Sequence, residues 1–316
     1  MGASWAANMQ AAMLAVLARP AWWALSLAAF MLRGGFLIVI LPIVSIPTTA
    51  DLTNAFAPTI EGLIHGRSPL EDVLAGTLLI SGAFLALYGL VFTGSWLDLA
   101  LLRETTADPE LELGWSLASR SATLDLAIRL VAHLPTVVAI GYAVIRLIGV
   151  LYVELTSPGE TTTPLALRAL ARAPDAPLAV GITWLLGEAV GGLTARRVAA
   201  GEPVGGAFGR SLRQIISVRG LATLAATTAA IVALLVPYLL AVTTAWENVR
   251  VALFDEVGAG LTITAIVLMV STWVLGLALL GALLCWRATA WTLQVGPRSA
   301  TVTQPMLQTS EASRGG

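Results

Sequence analysis

The sequence predicts an all-α, polytopic membrane bundle of six transmembrane helices, and three observations carry that reading. Mean hydropathy is +0.83, with 57% hydrophobic and 12% charged residues, against about 25% charged in ordinary soluble domains. Six apolar runs are each long enough to cross a hydrocarbon core, which takes roughly 20 residues of helix. Arginines frame these runs in pairs, Arg33 to Arg103, Arg129 to Arg196 and Arg219 to Arg287, at separations of 70, 67 and 68 residues. The runs are continuously apolar rather than alternating, which selects helices over the strands of a membrane barrel.

Residues 8–19, ending in Leu17-Ala18-Arg19-Pro20, predict a short interfacial helix. Met1–Gln10 holds no basic residue, so a cleavable secretion signal is not expected and the first span would act as a signal anchor. Spans are expected near 24–47, 74–101, 130–153, 176–195, 221–245 and 259–285. Amphipathic segments, Gly114–Arg129 and Gly206–Arg219, precede the third and fifth spans. In the second of these, Phe208, Leu212, Ile215, Ile216 and Val218 contrast with Arg210, Arg213 and Gln214, the pattern of a helix lying on a leaflet. The connections at 48–73 and 154–175 have room for surface helices, Leu165–Ala173 among them. The expected organisation is one membrane domain over 1–295, in hairpin units of about 20–105, 114–200 and 206–292, and a disordered cytoplasmic tail over 296–316.

Topology follows from the basic residues, all eighteen of which are arginine. Thirteen fall on the side of the termini and the even-numbered connections, and five on the other, at Arg67, Arg146, Arg168, Arg172 and Arg250. Positive charge is retained in the cytoplasm, so a multi-pass plasma-membrane protein with both termini inside is expected. Trp22, Trp23, Trp96, Trp246, Trp286 and Trp291 fall near expected membrane boundaries, where an amphipathic ring suits both phases. The single Cys285 excludes an internal disulfide and a cysteine-based metal cluster, and reads as a small packing residue.

The hairpins carry signs of repetition. Ala118-Ser119-Arg120-Ser121 with Arg129 parallels Phe208-Gly209-Arg210-Ser211 with Arg219 at a constant offset of 90. Gly94 precedes Arg103 by nine residues, as Gly187 precedes Arg196. Units starting from the same side would be parallel repeats about an axis along the membrane normal, which argues against the inverted pairs of many secondary transporters. Helical hairpins under the positive-inside rule alone would produce similar arginine spacing.

Two polar features inside the apolar runs invite a functional reading. Asp125, Arg129 and His133 are spaced i, i+4, i+8, and share a face if the helix is continuous; they read as a polar relay, or as an ordinary ion pair worth about 0.2–0.5 kcal/mol with a histidine one turn deeper. Glu188, within Gly187-Glu188-Ala189-Val190-Gly191-Gly192, needs a proton, water or a cation, and Arg129 or Arg33 at similar depth would supply the last. It reads as a proton-linked or ligand-binding carboxylate, or as a buried structural ion pair. Gly187 and Gly191 offer a small-xxx-small face for close helix approach. Asp98 is expected at the interface, and Arg146 to snorkel outward. Arg196, Arg197, Arg210, Arg213 and Arg219 form a candidate contact set for anionic lipids, which the positive-inside rule alone would also produce.

Catalytic and cofactor signatures are mostly absent from the sequence. Without lysine there is no Walker loop, two histidines make no HExxH site, and neither Gly66-Arg67-Ser68 nor Gly209-Arg210-Ser211 completes GxSxG. No cofactor or metal is expected. A net charge of −1 speaks against nucleic-acid binding.

The stretch from Phe208-Gly209-Arg210-Ser211-Leu212-Arg213 to Val236-Pro237, an amphipathic basic segment leading into a hairpin, resembles the repeated units in membrane domains attached to some bacterial glycerophosphodiester phosphodiesterases. The likeness spans about residues 116–290, without the catalytic domain. It implies an integral membrane protein associated with lipid or with a partner. The function expected is therefore a non-enzymatic scaffold or subunit of a membrane complex, with membrane lipids, a membrane-protein partner or further copies of itself as partners. A small-solute or lipid transporter built on Glu188 is the alternative, and a lipid-modifying enzyme a third.

Overall fold

The computed structural model describes residues 4–40, 43–44, 54, 57, 61–62, 64, 69–108, 111, 122–156, 165–254 and 258–295. The tail expected over 296–316, most of the connection at 48–73 and the start of the Gly114–Arg129 segment lie outside the described residues. Those that are described form helices, without strands. Six are long and apolar enough to cross a membrane: Pro20–Ile40, Leu74–Ala107, Leu134–Glu154, Asp175–Ala199, Val218–Phe254 and Ala259–Val295. The protein is an all-α, multi-pass membrane protein.

Helix α1 (Trp5–Ala18) starts where the Ser4 hydroxyl accepts the amide of Ala7 at 3.2 Å. It stops at Arg19, whose backbone leaves helical geometry because the next residue is proline. Pro20 then occupies the first position of α2 (Pro20–Phe30), where a missing N–H costs nothing. The first span is broken in its middle. A wide turn over Met31–Gly35 separates α2 from α3 (Phe36–Ile40), and Gly34 takes φ +102°, a conformation that favours glycine. Arg33 therefore sits at a break within the span rather than at its mouth.

Helix α4 (Pro69–Ala107) has 39 residues, roughly 58 Å of helix, so it runs well beyond a core of about 30 Å. The third span starts as two pieces, α5 (Ala122–Ala132) and α6 (Leu134–Thr156). Pro135 has no N–H to offer the preceding turn, and the next amide tightens to bond His133 O at 2.9 Å. The short α7 (Leu165–Arg172) leads into α8 (Asp175–Ala199). Past α8, Gly201 at φ +94° closes a Schellman-type cap in which the amide of Glu202 reaches Arg197 O at 3.1 Å. Helix α9 (Val204–Ile215) follows, then α10 (Val218–Phe254) and α11 (Ala259–Val295).

Consecutive spans pack in pairs: α2 on α4, α5 and α6 on α8, and α10 on α11. The hairpins also meet one another, the first and third through α2 and α11, the first and second through α4 and α5, the second and third through α8 and α11. Three units thus close a ring at the end of the molecule that carries α1 and α9. One apolar core there joins Ala189, Val190, Leu193, Ile215, Leu224 and Trp291; another joins Ala15, Val16, Trp22, Leu101 and Cys285. Cys285 is fully buried, as its packing role requires. The opposite halves of the long helices expose apolar side chains such as Leu79, Phe84, Ile263 and Val267, a surface suited to lipid.

Two expectations change at this end. Trp22 and Trp291 are buried in protein rather than placed in a membrane belt. Trp23 donates to Val16 O at 2.7 Å and Trp286 to Met9 O at 3.0 Å, so these indoles hold α1 against the bundle. Helix α9 turns Ala207, Ser211 and Ile215 toward the protein and leaves Leu212 and Ile216 outward beside Arg213. It is docked and amphipathic at once.

Candidate functional site: a charged centre between the hairpins

Close backbone approach builds the site. At Gly94 on α4, a Cβ would lie 3.1 Å from Ala29 O and 2.9 Å from Arg33 Cγ. At Gly187 on α8, a Cβ would lie 3.1 Å from Ala132 O and 2.9 Å from His133 Cδ2. The same device thus recurs in the first two hairpins: a glycine in the returning helix accepts a carbonyl and a polar side chain of the helix before it. That recurrence extends the likeness of these units from spacing to packing.

Because the glycines leave room, Arg33 and Arg129 reach Glu188, one residue past Gly187. Glu188 Oε2 lies 3.5 Å from Arg33 Nη2 and 3.5 Å from Arg129 Nη1. Arg129 is the hub. Its Nε donates to Asp125 Oδ2 at 2.9 Å, and its Nη2 donates to Asp98 Oδ2. The carboxylates of Asp125, Asp98 and Glu188 compensate the burial of the Arg129 charge. His133 uses Nδ1 on Arg129 O at 2.8 Å; a carbonyl only accepts, so Nδ1 is the donor there and Nε2 faces Glu188 Oε1 at 3.6 Å.

The structure therefore brings Asp125, Arg129, His133 and Glu188 together, although the helix bearing the first three is interrupted at His133. It also adds residues that the sequence left outside. Asp98, expected at the interface, is buried against Arg129 and lies 3.9 Å from Arg196 Nη2. Its helix continues to Ala107, so its depth is set by protein rather than by lipid. Arg196, expected among lipid-facing arginines, is only 3% exposed. It donates to Gly192 O at 2.9 Å and Thr292 Oγ1 at 3.0 Å. Arg287 comes from the third hairpin. Four of the six framing arginines, Arg33, Arg129, Arg196 and Arg287, thus converge, with Asp98 and Glu188, on a pocket of about 40 Å³ between the units.

The rest of the arginine set stays near the surface. Arg197 is held by Glu202 at 3.1 Å and by Gln214, and Arg210 by Glu202 at 3.2 Å, while Arg213 and Arg219 are exposed. At the far end, Arg146 lies 3.5 Å from Asp175, half exposed as expected of an outward-reaching side chain. Among the described residues no cluster of His, Cys, Asp and Glu could hold a metal ion. Comparison of the chain with protein-family models, with curated proteins and with solved structures returned no match. Any functional reading therefore rests on this geometry.

Proposed function

We propose that this chain is a non-enzymatic, lipid-associated membrane scaffold or complex subunit of the plasma membrane, with both termini and the charged centre toward the cytoplasm. The observation that carries this reading is the charged centre itself, whose carboxylates are all bridged to arginines of other helices or of their own. Such a network ties the first two hairpins together, and the Arg196 bond to Thr292 Oγ1 adds the third. Its cavity of about 40 Å³ is lined by residues of all three hairpins. The reading also accommodates the resemblance of residues 116–290 to membrane domains attached to glycerophosphodiester phosphodiesterases.

The experiment is native mass spectrometry of the protein released directly from membranes. A scaffold or subunit emerges bound to a second protein or to further copies of itself, with lipid attached. Repeated recovery of a lone monomer would overturn the reading.

One observation favours a second reading, a proton-linked carrier: His133 Nε2 faces Glu188 at the edge of the pocket. In that case Glu188→Gln in proteoliposomes alters flux and its pH dependence, whereas the scaffold reading has no flux to alter.

A further inference from the structure

The charged centre is not balanced. It gathers the guanidinium groups of Arg33, Arg129, Arg196 and Arg287 around the carboxylates of Asp98, Asp125 and Glu188. Each side-chain nitrogen of Arg129 and Arg196 has a hydrogen-bond acceptor or a carboxylate among the contacts described above. This does not hold for the other two. Arg33 touches Glu188 only through Nη2, and its Nε and Nη1 are buried without a hydrogen-bond partner. Arg287 makes no hydrogen bond or ion pair among the described residues; it is partly exposed and lines the same pocket with Ser26 and Trp291. The buried N–H groups of Arg33 left unpaired are costly, and the four guanidinium charges outnumber the three carboxylates. Water in the pocket would satisfy the donors and leave the charge.

We infer that this pocket binds a phosphate-bearing anion through Arg33 and Arg287. An oxyanion supplies both missing quantities at once, a negative charge and several acceptor oxygens. Planar guanidinium forks match phosphate geometry with two parallel N–H groups each, which a point-charge ammonium does not. Glu188 does not block the site, because Arg33, Arg129 and His133 already surround its two oxygens. The pocket lies at the level of the framing arginines, so the anion is either the headgroup of an anionic phospholipid or free phosphate. This inference deepens the lipid-associated part of the proposed function and rests on it. The recovery of protein partners by mass spectrometry does not depend on it, so the two fail separately.

The test follows the thermal midpoint of the full chain in phosphatidylcholine nanodiscs, at constant ionic strength. One arm adds phosphatidylglycerol to the nanodiscs and the other adds inorganic phosphate. A ligand bound only by the folded protein raises the midpoint in step with its concentration over Kd. A rise with phosphatidylglycerol assigns the lipid headgroup, and a rise with phosphate alone assigns the free anion. In Arg287→Gln and in Arg33→Gln the concentration giving the same rise moves up by about tenfold or more, the loss expected for one charged hydrogen-bonding group. Arg287→Lys recovers part of it. Arg103→Gln removes the same charge from an exposed position on the same side and tracks the parent. If Arg287→Gln does not fold, Arg33→Gln carries the comparison. A parent protein that responds to neither probe overturns the site, as does an undiminished response in Arg287→Gln or Arg33→Gln.

Discussion

Arg129 meets three carboxylates from three helices, with Asp125 on its own helix, Asp98 on α4 and Glu188 on α8. Removing a buried partner is worse than never having had one, because the charges left behind stay desolvated. Arg129→Gln should therefore lower the unfolding free energy by about 3–5 kcal/mol, read from the midpoint of denaturant unfolding in detergent. Arg129→Lys should restore only part, since an ammonium on a flexible stem cannot span all three partners. A loss below about 1 kcal/mol, the scale of an exposed pair, would mean that water already solvates this centre. Much of the centre was legible in the sequence. Asp125, Arg129 and His133 stood out by spacing, Glu188 by its place in an apolar run, and Arg33 as a candidate partner for it. Arg196 and Arg287 were read as reporters of orientation, and Asp98 as interfacial. Hydropathy treats a charge near the end of a span as if lipid headgroups surrounded it. Here the helices run on past that level and surround it with one another.

The same overrun shapes the elements. Six spans were legible because apolar length is a property of single segments. Their ends on the α1 side were placed short, at 101 against Ala107 on α4 and at 285 against Val295 on α11, because hydropathy falls where packing against neighbouring helices takes over from lipid. The breaks were harder to see. Pro135 signals a tightened turn, but that the Arg33-Gly34 pair interrupts the first span depends on Gly34 adopting positive φ, which only the folded context selects. The far end has its own small lock. Glu154 on α6 is buried, 3.3 Å from Arg168 and 2.6 Å from Arg172, so it pins the short α7 against the second hairpin. An eight-residue helix does not persist in water without such contacts. Glu154→Ala should therefore speed amide exchange across Leu165–Arg172 by about tenfold, the equivalent of roughly 1.4 kcal/mol, while α8 keeps its protection. Equal protection in both proteins would show that Ala169 and Ala173, buried against Ala143 and Val150, hold α7 unaided.

At the scale of the whole molecule, three hairpins starting from one side close a ring whose pocket is lined by all three. That arrangement is what parallel repeats about the membrane normal produce, and Gly94 and Gly187 repeat one packing device in two of them. The ring also gathers the framing arginines at the end bearing α1 and α9, and thirteen of eighteen arginines belong to that side by sequence. Moving so much positive charge across a membrane opposes the bias that sets topology, so this end should face the cytoplasm. The chain suits a direct test, because its one cysteine is buried and Cys285→Ala leaves a background without thiols. In that background Ser217→Cys, at the exposed corner between α9 and α10, should resist a membrane-impermeant maleimide on intact cells and react after lysis. Gly258→Cys, exposed between α10 and α11 at the opposite end, should react on intact cells. The reversed pattern would place the charged centre outside. Its phosphate-bearing ligand would then have to come from the outer leaflet, and the arginine count would no longer explain the topology.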